Sequence, residues 1–162
     1  MTDTPPLMPT IYAGWHNYQR LLTDALAPLT PEQLELRAAP GLRTVGATAK
    51  HMIGARARWF HNLLGEGGDE FAGFGQWDRP GQPNRSAADL IHGLEATWDG
   101  MQTAIARWTP AEWAQTYPND PGDQPDPITR PWVIWHLIEH DAHHGGEISL
   151  LLGMHGLKAP EL

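Results

Sequence analysis

The stretch from Trp132 to Leu152 reads WVIWHLIEHDAHHGGEISLLL and places His136, His140 and His144 at four-residue steps. On a helix of 3.6 residues per turn, positions four apart turn only about 40° around the axis, so the three imidazoles share one face. His143 stands beside them, and Glu139, Asp141 and Glu147 add carboxylates within the same turns. That density of nitrogen and oxygen donors in an apolar helix points to a divalent metal, with a solvated polar helix face as the plainer alternative. A helical His-x3-His pair is a common bidentate unit. His136 with His140 satisfies it, and so does His140 with His144, so spacing alone leaves the pair open. Another imidazole must come from elsewhere. His51 is the best placed: with Ala47 and Ala55 one turn to either side, it stands on a shallow helix surface suited to facing another element. His16, His61, His92 and His155 lie near helix ends or on faces without a partner and read as ordinary histidines.

Three neutral imidazoles suit Zn or Ni, with Fe and Mn behind, and leave a coordination position for water or a substrate atom. A metal held in this way lowers the pKa of water, stabilises a thiolate or polarises a carbonyl. Glu139, Asp141 and Glu147 are candidates to orient ligand imidazoles or to move protons, and spacing does not rank them.

The elements that must position these groups are helical. Apolar residues Ile11, Trp15, Tyr18, Leu22 and Leu26 recur at three- and four-residue steps, predicting a helix from Pro9 to about Ala27 that Pro28 ends. Thr30-Pro31-Glu32-Gln33 then carries the signals of a short capped turn. Thr44 caps a second long helix to about Gly65, which contains His51. Residues 66–85, rich in Gly, Pro and aromatics, read as a loop without helix, its Phe71, Phe74 and Trp77 anchoring into the core in preference to forming a substrate lid. Ser86, with Asp89 three residues on, caps a third helix buried through Leu90, Leu94, Trp98, Met101 and Ile105 and ending near Trp108. The fourth begins at about Thr129 and runs through the histidines to about Gly153.

The chain also echoes itself. Thr30-Pro31 and Thr109-Pro110 are the same capping device, each directly after a long helix, and Thr44 precedes His51 by the interval at which Thr129 precedes His136. Each half therefore reads as long helix, short capped turn, long helix. The expectation is an all-α four-helix bundle with long connections, a single domain over 1–162 with 1–8 and 156–162 as tails.

Composition excludes several functions. With no cysteine, disulfides, thiolate ligands and a cysteine nucleophile are ruled out. A net charge of -8, with 11 Lys and Arg against 19 Asp and Glu, offers no basic stripe for nucleic acid. No run approaches the length of a membrane span and no leader is evident, so a cytoplasmic location is expected. The eight Trp read mostly as core or pocket wall.

The mid-helix His in AKHMIGARARWF together with WHLIEHDAHHGGEISLL resembles the DinB-like superfamily, which includes YfiT-type metal-dependent hydrolases and thiol-dependent S-transferases. The resemblance covers essentially the whole chain. It implies an up-down-down-up bundle, often a homodimer, with a divalent metal on three histidines that carry over onto His51, His140 and His144. His136 then falls outside the triad. Where such proteins commonly have Arg after the last ligand, this chain has Gly145, which removes any anion-holding role of that Arg. The implied activity is transfer from a low-molecular-weight thiol, or hydrolysis, acting on a small electrophile. The alternative is a non-catalytic metal or small-ligand binding module with a stress-related role.

Overall fold

Five hydroxyl residues start helices in the same way. Thr30, Thr44, Ser86, Thr109 and Thr129 are extended in backbone, and each side-chain oxygen accepts the N–H of the residue three further on, satisfying a donor the helix itself leaves free. In the computed structural model, which describes residues 7–120, 122, 123, 125 and 127–160, seven α-helices follow from these and two other starts. The long ones are α1 (Leu7–Leu26), α3 (Val45–Arg58, continued by a π-helical turn Trp59–Leu63), α5 (Ala87–Arg107) and α7 (Arg130–Met154). Between them lie α2 (Pro31–Leu34), α4 (Gly68–Phe74) and α6 (Pro110–Trp113). The fold is all-α, and the helix–turn–helix order recurs as α1-α2-α3 and α5-α6-α7. The outermost residues of both expected tails lie outside the described residues.

The long helices close on one core. Leu22, Leu26, Met52, Ile53, Phe60, Leu90, Leu94, Met101, Leu137 and Leu152 are completely buried within it. Helix α3 packs against both α5 and α7, and α1 lies on the same two. Contacts between α3 and α7 reverse along the chain, His51 meeting His144 while Trp59 meets His136, so these two helices are antiparallel.

Three expectations are corrected. Residues 66–85 do contain a helix, α4, entered through Gly67 at φ +77°, where a Cβ would fall 2.2 Å from the Phe71 ring. Phe71 and Phe74 bury one face of it, and tertiary packing stabilises a helix too short to stand alone. A two-residue antiparallel ladder also forms, β1 (Thr116–Tyr117) with β2 (Ile128–Thr129), pinching the Pro- and Asp-rich loop shut before α7. Ile11 is exposed; the inner stripe of α1 runs instead through Trp15, Gln19, Leu22 and Leu26. Phe71 and Phe74 anchor in the core as expected.

Candidate metal centre

Facing each other across the α3–α7 interface, His51, His140 and His144 bring one nitrogen each to within 4.8 Å of one another. The ring centroids lie 5.0 Å apart for His51 and His140, 4.8 Å for His51 and His144, and 4.4 Å for His140 and His144. Of the histidines in the chain, these are the three the family resemblance singles out. Nε2 of His140 lies 3.2 Å from Nε2 of His51.

Two carboxylates decide what those nitrogens present. Nδ1 of His51 is 2.9 Å from Oδ2 of Asp78, and Nδ1 of His144 is 2.7 Å from Oε2 of Glu147. An ionised carboxylate only accepts, so Nδ1 carries the proton in each neutral ring and the Nε2 lone pair is left facing inward. Lone pairs converging at this distance repel unless a proton or cation lies between them, and such carboxylate–histidine pairs are the usual support of metal-bound imidazole. The arrangement is a histidine–carboxylate cluster capable of coordinating a divalent ion.

Burial favours the neutral form of His140 and of His51. Burial pushes His140 down to about 3, helped by the neighbouring imidazoles of His144, His51 and His136 and by Arg56. Burial also lowers His51, outweighing the Asp78 hydrogen bond that works the other way. Asp78 is itself partly desolvated, but hydrogen bonds from Arg58 and His51 hold its carboxyl below the usual range. Arg58 grips both oxygens, at 2.5 and 3.0 Å, and also donates to the Gly75 carbonyl, so the segment after α4 is fastened to α3 at the point where it meets His51. Glu147 is lowered too: the hydrogen bond from His144 and the electrostatic pull of its surroundings, Arg43 among them, overcome its own desolvation.

His136 is elsewhere. Its ring stacks on Trp132 with centroids 5.0 Å apart and planes 3° from parallel, and meets Trp59 edge-on at 5.1 Å. It is an aromatic partner one turn from His140 and does not join the three-nitrogen group. His143 is exposed and shares Glu147 with His144, forming a second, more open grouping. His16 stacks on Trp98 and His92 meets Phe74; neither reaches the centre.

The three carboxylates left unranked have separate fates. Glu147 orients His144. Glu139 is exposed. Asp141 is wholly buried and does not join the cluster, being bound by Arg56 through Nε and Nη2 and by the Trp15 indole at 2.7 Å. Asp78, Arg58 and Arg56 escape sequence reasoning: Asp78 lies 27 positions from His51 in a loop with no periodicity to mark it. Gly145 also finds its explanation, since a Cβ there would fall 2.1 Å from the Tyr18 hydroxyl. Tyr18 occupies the room a larger residue would need.

Comparison with known proteins agrees with the fold. A DinB-like protein from Bacillus cereus ATCC 10987, known from its crystal structure, has a similar fold, with a TM-score of 0.70 and 24% identity over 93% of this chain and 94% of that one. No curated protein matches. The DinB family itself matches residues 1–162. The chain belongs to the DinB family.

Proposed function

We infer that His51, His140 and His144 hold a divalent metal, Zn or Ni ahead of Fe and Mn, and that the centre serves a thiol-dependent transfer or a hydrolysis on a small electrophilic molecule. The observation that carries this reading is the pair of inward Nε2 lone pairs fixed by Asp78 and Glu147, with a third neutral imidazole beside them. Among the described residues no further imidazole or carboxylate joins the three-histidine group. Three protein donors suit a catalytic site, which keeps a position for a reactant, better than a closed structural one. When bound, the metal supplies Lewis acidity, favouring the anionic form of a thiol or water at neutral pH.

The chain's own residues do the rest. Asp78 and Glu147 fix the tautomers and orient the rings, and Arg58 keeps Asp78 ionised. With no cysteine in the chain, a thiol has to arrive as a cosubstrate. The up-down-down-up order and homodimer of the family belong to the same reading.

Metal analysis of protein purified without a histidine tag tests it directly. About one divalent ion per chain is expected, together with a melting temperature raised by added Zn or Ni, and His51→Ala should abolish both. Turnover of thiol and electrophile pairs that disappears on chelation would favour the enzyme over the binding module. Protein that neither retains nor responds to a divalent ion sinks both.

A further inference from the structure

Beside the histidine cluster opens a cavity of about 490 Å3, with Leu42, Arg43, Thr48, Glu147, Leu150 and Leu151 among its lining residues. It adjoins the centre from both helices. Thr48 precedes His51 by one turn of α3, and Glu147 follows His144 by one turn of α7 while holding that ring. The size falls within the range of small-molecule pockets.

Its lining is divided chemically. Leu42 and Leu150 are 56% and 64% exposed, two of the few large apolar side chains the molecule leaves open, and Leu151 is buried behind them. Arg43 is exposed and has no carboxylate within ion-pair distance among the described residues. Glu147 feels the Arg43 charge only from beyond ion-pair distance, its oxygens being engaged by His144 and, at 3.5 Å, by His143. An unpaired guanidinium beside exposed leucines receives a molecule with an anionic group on an apolar body. The fixed negative charge of Glu147 in the same cavity disfavours a dianion, so a monocarboxylate fits better than a phosphate monoester. The overall charge of -8 repels anions in general, which makes the local cation the determinant of capture.

We propose that this cavity is the substrate pocket of the histidine centre and selects a small apolar monocarboxylate, its carboxylate paired with Arg43 and its chain resting on Leu42, Leu150 and Leu151. The proposal rests on reading the cluster as a metal site.

Octanoate and its neutral counterpart octanamide, titrated by calorimetry into zinc-loaded protein, provide the test. Octanoate is expected to bind at least about tenfold more tightly than octanamide, and Arg43→Gln to remove about that factor for octanoate alone. Arg43→Lys should recover part of it, and Leu150→Gln should weaken both ligands. Equal binding of the two ligands, octanoate binding indifferent to Arg43→Gln, or no octanoate binding overturns the proposal. So does octanoate binding that survives Arg43→Gln but is lost in His51→Ala, which would mean that its carboxylate seeks the metal. Zinc content is measured on every sample. Protein that takes no zinc defeats the functional reading, whereas the same Arg43 dependence in metal-free protein would still uphold the pocket.

Discussion

Two carboxylates orient rings of the cluster, and the Asp78 contact is open to a single-atom test. Asp78→Asn keeps the shape of the side chain but removes the charge that fixes the proton on Nδ1 of His51, whose 2.9 Å contact then no longer selects one tautomer. Metal affinity, measured by competition with a chelator on folded protein, is expected to fall about 10–100-fold; unchanged affinity would show that Asp78 does not orient the ring. His136 makes the contrasting case. Stacked on Trp132 and edge-on to Trp59, it contributes packing, so His136→Ala should cost about 1 kcal/mol of stability and leave metal stoichiometry intact. Loss of metal in that variant would move the ligand set one turn along α7.

At the level of the element, α7 carries two tasks on adjoining faces. One side presents His140 and His144 to α3, and the other sends Asp141 inward to Arg56 and Trp15. This stretch of helix must therefore sit in one rotation about the axis, and Gly145 permits the close approach of α1 on which that rotation depends. Gly145→Ala places a Cβ against the Tyr18 hydroxyl at 2.1 Å and should destabilise the fold by about 1–3 kcal/mol through overpacking, with Tyr18→Ala relieving part of the loss. Chemical denaturation of the single and double variants checks this, and additive effects would deny the contact. Helix α3 shows the complementary arrangement: its small Ala47 and Ala55 leave His51 standing clear to meet the rings across the interface.

In the whole molecule, the buried Arg56–Asp141 pair ties the two halves together. The residues lie 85 positions apart, the same interval that separates Thr44 from Thr129 and His51 from His136. Equivalent positions of the two halves thus touch each other, as they must where an internal pseudo-twofold axis passes. Around it the halves have diverged: where α7 carries His144 against His51, α3 carries Trp59 against His136. Asp141→Ala leaves a buried guanidinium uncompensated and should cost about 3–5 kcal/mol, read from denaturation midpoints; a loss below about 1 kcal/mol would mean that water replaces the carboxylate. Acid acts on the same interior. His51, His136 and His140 all have folded-state values below those of free imidazole, His140 at about 3. The unfolded chain therefore takes up protons first as pH falls, so the stabilisation these neutral rings contribute is complete above about 6.5 and is lost from there towards pH 3. Metal-free protein should melt at progressively lower temperature from pH 7 to pH 4, with a shallower decline in His140→Gln. Melting curves that do not move across this window would contradict the burial of neutral imidazoles.

Features that depend on neighbours along the chain are legible from the amino-acid order. The hydroxyl caps at Thr30, Thr44, Ser86, Thr109 and Thr129, the helix periodicity and the four-residue histidine spacing are local, so the long helices and the candidate imidazoles could be read from it. Spacing could not choose between His136 and His144, because both lie one turn from His140; the family resemblance preferred His144, and the tertiary structure groups His144 with His51 while stacking His136 on Trp132. Only the tertiary structure joined Asp78 to His51, engaged Asp141 with Arg56 and made a helix of Gly68–Phe74. These depend on contacts between residues distant in sequence, on which way a helix rotates when its apolar face is buried, and on packing that stabilises a segment too short to be helical alone.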